Sequence, residues 1–124
     1  MDTKLILDLH GRFLQGKMEE TRQKIAFLEK DQRQDEANLY KARRNVFDIF
    51  HKMLGASLRK QGEGALEAYQ GHLDAIPQSW IEARKQAVEH GDIHRQAVED
   101  MKLSAVKEIV QQLHGITEKG GRQQ

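Results

Sequence analysis

From Leu7 to Ala56 the chain repeats apolar side chains at alternating steps of three and four. One set of positions holds Leu7, Leu14, Thr21, Leu28, Asp35, Ala42, Ile49 and Ala56, and its companion set holds Gly11, Met18, Ile25, Gln32, Leu39, Val46 and Met53. These steps keep one stripe on one side of an α-helix, the spacing a seam between two helices requires. No Pro or Gly falls between Lys17 and Leu54. The pattern therefore predicts one long helix, on the order of 55 Å at the usual rise per residue.

The stripe is narrow between Met18 and Leu28, whereas from Leu39 to Leu58 it widens to take in Tyr40, Phe47, Phe50 and Leu54. A narrow stripe needs one covering helix and a wide one needs two or more. The second half of the long helix thus belongs in the main core, with the first half reaching out toward a single partner. Between the halves, Lys30 to Glu36 make both seam positions polar. That segment is either a polar layer that sets register in a coiled coil or a turn that folds residues 4–30 back on residues 36–60. Unbroken phase and the lack of breakers favour the continuous helix.

Gly62 and Gly64 end the long element. A short helix follows from about Ala65 to Ala75, with Leu66, Tyr69, Leu73 and Ile76 on its buried side, and Pro77 stops it. Ser79, Trp80, Ile81 and Glu82 match a capping box and predict a new helix start. Gly91 closes that helix and Asp92 can cap the next. The last helix is expected from about Ile93 to His114, with Gly115 and Ile116 forming a left-handed cap. Residues 1–116 then make one helical domain, and residues 117–124 have nothing to bury and read as a disordered tail.

Composition agrees with helices. Apolar residues are 38% and charged residues 31% of 124, with a single proline, a balance that suits one buried stripe per helix better than a two-sided sheet. The absence of cysteine removes disulfides, thiol catalysis and thiolate zinc sites, and makes a reducing cytoplasm the expected location. No stretch approaches the ~20 apolar residues that a membrane span requires. Net charge is +1, but residues 1–61 carry 13 basic and 9 acidic side chains against 7 and 10 in residues 62–124. So mild an asymmetry suits two parts of one molecule that attract each other.

Candidate chemistry is sparse. Glu89, His90, Gly91, Asp92, Ile93 and His94 form the most site-like string, because histidines four apart on one helix face can chelate a divalent metal. Gly91 stands between them and would break that helix, and a polar turn is the plainer reading. The basic residues of the long helix, such as Arg22, Lys41 and Arg44, alternate with Glu19, Glu29, Asp35 and Asp48; solvated helix charge explains them better than a nucleic-acid face. Phe47, Phe50, Tyr69 and Trp80 sit at helical spacing beside Val and Ile, as core aromatics do. Ala65, Tyr69, His72 and Pro77 match the spacing of the second helix of a tetratricopeptide repeat over about a dozen residues. One unit cannot stack, so they are read as a helix followed by proline.

These observations predict an all-α bundle with one long N-terminal coiled-coil-like helix, short middle helices and a long C-terminal helix. In architecture alone it resembles small helical chaperones and adaptors. The expected function is a non-catalytic protein–protein interaction module, without a cofactor. It would pair as a homodimer, or with another helical protein, through Leu14, Met18, Thr21, Ile25, Leu28, Gln32 and Leu39. The competing expectations are a metal-binding helical protein or enzyme built on His90 and His94, and a weak nucleic-acid binder.

Overall fold

A computed structural model describes residues 2–122 of the chain. It is an all-α bundle: α1 (Thr3–Lys30), α2 (Gln34–Gln61), a 3-10 turn at Gly62–Gly64, α3 (Ala65–Ala75), α4 (Gln78–Glu89) and α5 (Ile93–Arg122). No strand occurs among the described residues.

The continuous N-terminal helix is not formed. Asp31, Gln32 and Arg33 turn the chain, and α1 packs antiparallel on α2 in the most extensive helix contact of the molecule. The turn is a Schellman motif: the Arg33 amide donates to the Leu28 carbonyl at 2.8 Å, and the Gln32 amide to the Glu29 carbonyl at 3.1 Å. This motif places one residue in the left-handed region, and here that residue is Gln32, with φ +61°. Glycine is its usual occupant, so the break carries none of the composition that marks one. The α4–α5 connection repeats the motif with glycine: the Asp92 amide donates to the Ala87 carbonyl at 2.8 Å, and Gly91 has φ +66°.

Two other boundaries differ from expectation. First, α4 begins at Gln78, so Ser79 does not cap it, and its hydroxyl donates to the Ile76 carbonyl at 3.4 Å instead. Ile76 and Pro77 both hold helical backbone angles, which makes α3 and α4 two arms of a bend at a proline. Second, α5 does not stop at Gly115. Ile116 packs on the core and the Thr117 hydroxyl donates to the Leu113 carbonyl at 2.7 Å. Residues 117–122 of the expected tail are therefore helical, while residues 123 and 124 lie outside the described residues.

The core forms at the open end of the hairpin. Ile6, Leu7 and Leu14 of α1 meet Val46, Phe47, Phe50 and Leu54 of α2; Ala65, Tyr69 and Leu73 of α3 and Ala105, Val106, Ile109 and Leu113 of α5 close the cluster. Gly11 allows the two long helices to approach, since a Cβ there would stand 3.3 Å from Leu54 Cδ2. Toward the turn Ile25, Leu28 and Ala37 lie outside this cluster and are buried between α1 and α2. Narrow and wide parts of the stripe thus take one and several covering helices, as their widths require.

Phe47 and Leu28 are wholly buried, in the core and near the turn respectively, whereas Ile93 is 80% exposed. Phe47→Ala and Leu28→Ala should each cost about 3–5 kcal/mol through lost burial and a residual cavity. Ile93→Ala should stay within about 0.5 kcal/mol. Urea unfolding followed by circular dichroism measures all three, and a Leu28→Ala cost near that of Ile93→Ala would contradict the closed hairpin.

Candidate functional site

The seam residues come together, but inside one chain. Leu14 and Leu28 are fully buried, Thr21 is 3% and Ile25 9% exposed, while Met18 and Leu39 are half-buried. Gln32 stands exposed in the turn. The expectation of an open seam waiting for a second chain is therefore corrected: α2 folds back to cover the stripe. Thr21 sits among the apolar positions at little cost, because its hydroxyl donates to the carbonyls of Lys17 and Met18 at 2.8 and 3.0 Å.

His90 and His94 do not share a helix. His90 is the C-terminal cap residue of α4, with its Nδ1 2.8 Å from the Gln86 carbonyl, and His94 is the second residue of α5. The left-handed Gly91 lies between them, so the four-residue spacing does not put two imidazoles on one face. Among the described residues no group of three or more His, Asp and Glu side chains could hold a metal ion. Asp92 takes the capping role expected of it, accepting from the Arg95 amide at 3.0 Å.

The cations of α1 and α2 are largely neutralised by their neighbours. Arg22 pairs with Glu19, Arg33 with Glu36, Lys41 with Glu29 and Lys52 with Asp48. Arg43 and Lys17 reach Glu108 of α5 at 2.6 and 3.3 Å, a contact between the basic first half and the acidic second half of the chain. Arg43 also lies over the Phe47 ring, 5.0 Å from its centroid.

The chemistry of the interior was not foreseen. His10 is fully buried between three helices. Its Nδ1 lies 2.5 Å from Gln112 Oε1 on α5, and its Nε2 lies 2.7 Å from the Tyr69 hydroxyl on α3. An amide oxygen only accepts, so Nδ1 carries the proton and donates, and Nε2 accepts from the tyrosine. Burial favours the neutral form of both groups. Burial pushes the His10 pKa below its ordinary 6.5, only partly offset by the Gln112 hydrogen bond, and burial raises that of Tyr69. The signal available in the sequence was position: His10 follows Leu7 by three and precedes Leu14 by four, on the apolar stripe. Glu99, also buried, is bound by Lys102 at 3.1 Å and Arg95 at 3.6 Å on its own helix, and its second carboxylate oxygen has no partner.

On the outside, the α4–α5 hairpin leaves apolar groups uncovered. Ile81 and Val88, two turns apart on α4, are each 49% exposed, and Ile93, just past the Gly91 turn, is 80% exposed. Ala87 is the only buried residue of α4. Trp80 holds the helix to the core, edge-on to Phe50 with centroids 6.4 Å apart, and Arg84 pairs with Asp100 of α5. Among the described residues no helix is long and apolar enough to cross a membrane. No family model matches the chain, and no curated protein or solved structure matches it either.

The buried histidine sets an acid limit. Its folded-state pKa is depressed, so the unfolded chain binds more protons at mildly acidic pH, and stability should fall as pH drops below 6.5 toward the folded value. His10→Gln should lose about 1–3 kcal/mol at pH 7.5 from the broken network. It should also show a shallower acid slope than the parent. Urea midpoints between pH 5 and 8 test this, and parallel slopes would rule His10 out as the cause.

Proposed function

We propose that this chain is a non-catalytic protein–protein interaction module, acting in the cytoplasm, whose docking face is the outer edge of the α4–α5 hairpin. The observation that carries the reading is the exposure of Ile81 and Val88 on α4, the helix with the least burial of its own, and of Ile93 at the start of α5. Scattered surface apolar residues are ordinary. Ile81 and Val88, however, stand seven residues apart on one face of α4, and Ile93 follows the turn that ends it, an apolar edge of the kind a partner helix covers. Ile81 and Val88 are about 10 Å apart along the axis, which fits a single helix of a partner and a contact that forms and releases.

A catalytic reading finds little support. The one histidine with a perturbed pKa is wholly buried and hydrogen-bonded through both ring nitrogens, so no substrate reaches it. The lack of cysteine suits a reducing compartment.

Val88→Lys with Ile93→Lys tests the docking face. Both positions are exposed, so the melting temperature should move little. A helical partner captured by cross-linking from cell extract and then purified should bind the parent chain with a negative heat-capacity change, the mark of apolar burial. It should bind the double variant at least tenfold more weakly, since two lost apolar contacts are worth about 1.4 kcal/mol or more together. Equal affinities for parent and variant would reject the α4–α5 edge.

A further inference from the structure

The seam that α2 covers can still join two chains if α1 changes owner. We propose that residues 31–33 act as a hinge through which two copies of this chain exchange α1, each straightened α1–α2 helix packing against that of the other copy. This mode does not involve the α4–α5 edge, and either can stand without the other.

Four observations meet at the hinge. The first is an internal comparison: two Schellman turns share one hydrogen-bond pattern, but Gly91 holds the left-handed position of one and Gln32 that of the other, at φ +66° and +61°. A side chain in that region strains the backbone, and a straight helix relieves the strain. Second, the repeat of three and four runs through residues 28–39 without a phase shift, from Leu28 by way of Gln32 and Asp35 to Leu39. Straightening therefore leaves both stripes on one side of one helix. Third, the Arg33 side chain does not cap α2, so its first amides lack the side-chain acceptor that a good start provides. A continuous helix would supply them with the carbonyls of the preceding turn.

The fourth is register. Lys24 lies over the Tyr40 ring at 5.6 Å, and Gly11 faces Leu54, which centres the pairing of the two helices on residues 32–33. Two straightened helices, antiparallel about a two-fold axis at that point, reproduce the same facings between copies. They also set Lys30 of one copy opposite Asp35 of the other. The contacts of α1 with the rest of the bundle, from His10 to Tyr69 and Gln112 and from Lys17 to Glu108, would be remade across the copies. Since closed and exchanged forms share these contacts, hinge strain and protein concentration decide between them. Short strained hinges favour such exchange.

The chain contains no cysteine, so an introduced pair reports without background. Glu29 and Lys41 lie across the hairpin, their charged ends 3.2 Å apart and both side chains more than two-fifths exposed. The variant Glu29→Cys with Lys41→Cys, incubated at a series of concentrations and then treated with a short bismaleimide, is resolved on a denaturing gel. Linkage within one chain should dominate when dilute and covalent dimers when concentrated. Adding Gln32→Gly, which removes the left-handed strain, should raise the crossover concentration about tenfold or more. Adding Gln32→Ile, whose branched side chain tolerates that region worst, should lower it. The glycine variant should fold at least as well as the parent and keeps the comparison valid should the isoleucine variant misfold. Linkage within single chains at every concentration in all variants would overturn the exchange. So would covalent dimers indifferent to residue 32, or a dimer in sedimentation whose linkage stays within each chain, which would assign the contact to another surface.

Discussion

Covering the apolar stripe of α1 is the constraint on which the rest of the molecule depends. Ile6, Leu7, Leu14, Ile25 and Leu28 are all buried, and each gains roughly 1.5–3 kcal/mol by leaving water. Against their sum, a side chain forced into the left-handed region at Gln32 costs about 1–2 kcal/mol. The stripe wins by several-fold, so the chain turns where no glycine or proline invites it. Once α2 lies against α1, the aromatic half of α2 still presents Phe47 and Phe50, too wide a surface for one partner. That surplus draws in α5 and α3, and α3 carries α4 around the bend at Pro77.

Apolar burial alone does not decide where α1 stops sliding along α2. A seam of Leu, Ile and Met is nearly indifferent to a shift of one heptad, whereas hydrogen bonds are not. His10 holds to Tyr69 on one side and to Gln112 on the other, and Glu108 draws in Lys17 from α1 and Arg43 from α2. Each ties three helices at one height. Displacing α1 by a turn would bury an imidazole and a phenol without partners, which is far more costly than a mismatch of methyl groups. The polar groups contribute less to stability than the apolar ones, and they select one register.

The helical class, the break at Gly62, the span of α3, the Asp92 cap and the start of α5 were legible because each rests on local chemistry that residue type reports directly. The same holds for the aromatic core and for the different widths of the stripe. Continuity through residues 31–33 was misread because a heptad pattern states which surface must be covered and says nothing of which helix covers it. The usual arbiter, glycine at the left-handed position, is present at residue 91 and absent at residue 32. Ser79 misled for a related reason: a capping box is a local preference, and the bend at Pro77 had already begun the helix before it. The His10 network escaped because Tyr69 and Gln112 lie 59 and 102 residues away, and a lone histidine on an apolar face does not say who will meet it.

Burial is distributed unevenly, and that bears on where the molecule can do work. α1, α2 and α5 each place several residues in the common core, but α4 places none there: its one buried side chain, Ala87, lies outside that cluster, and the helix leans on the partly buried Trp80 for its anchorage. Elements with few buried contacts open at lower free energy than the whole molecule does. Such a helix can adjust its axis to a visiting surface without disturbing the α1–α2 hairpin, whose stripe permits no comparable freedom. The least buried helix therefore also carries the uncovered Ile81 and Val88 for a single physical reason: side chains that the core does not use remain available to something else.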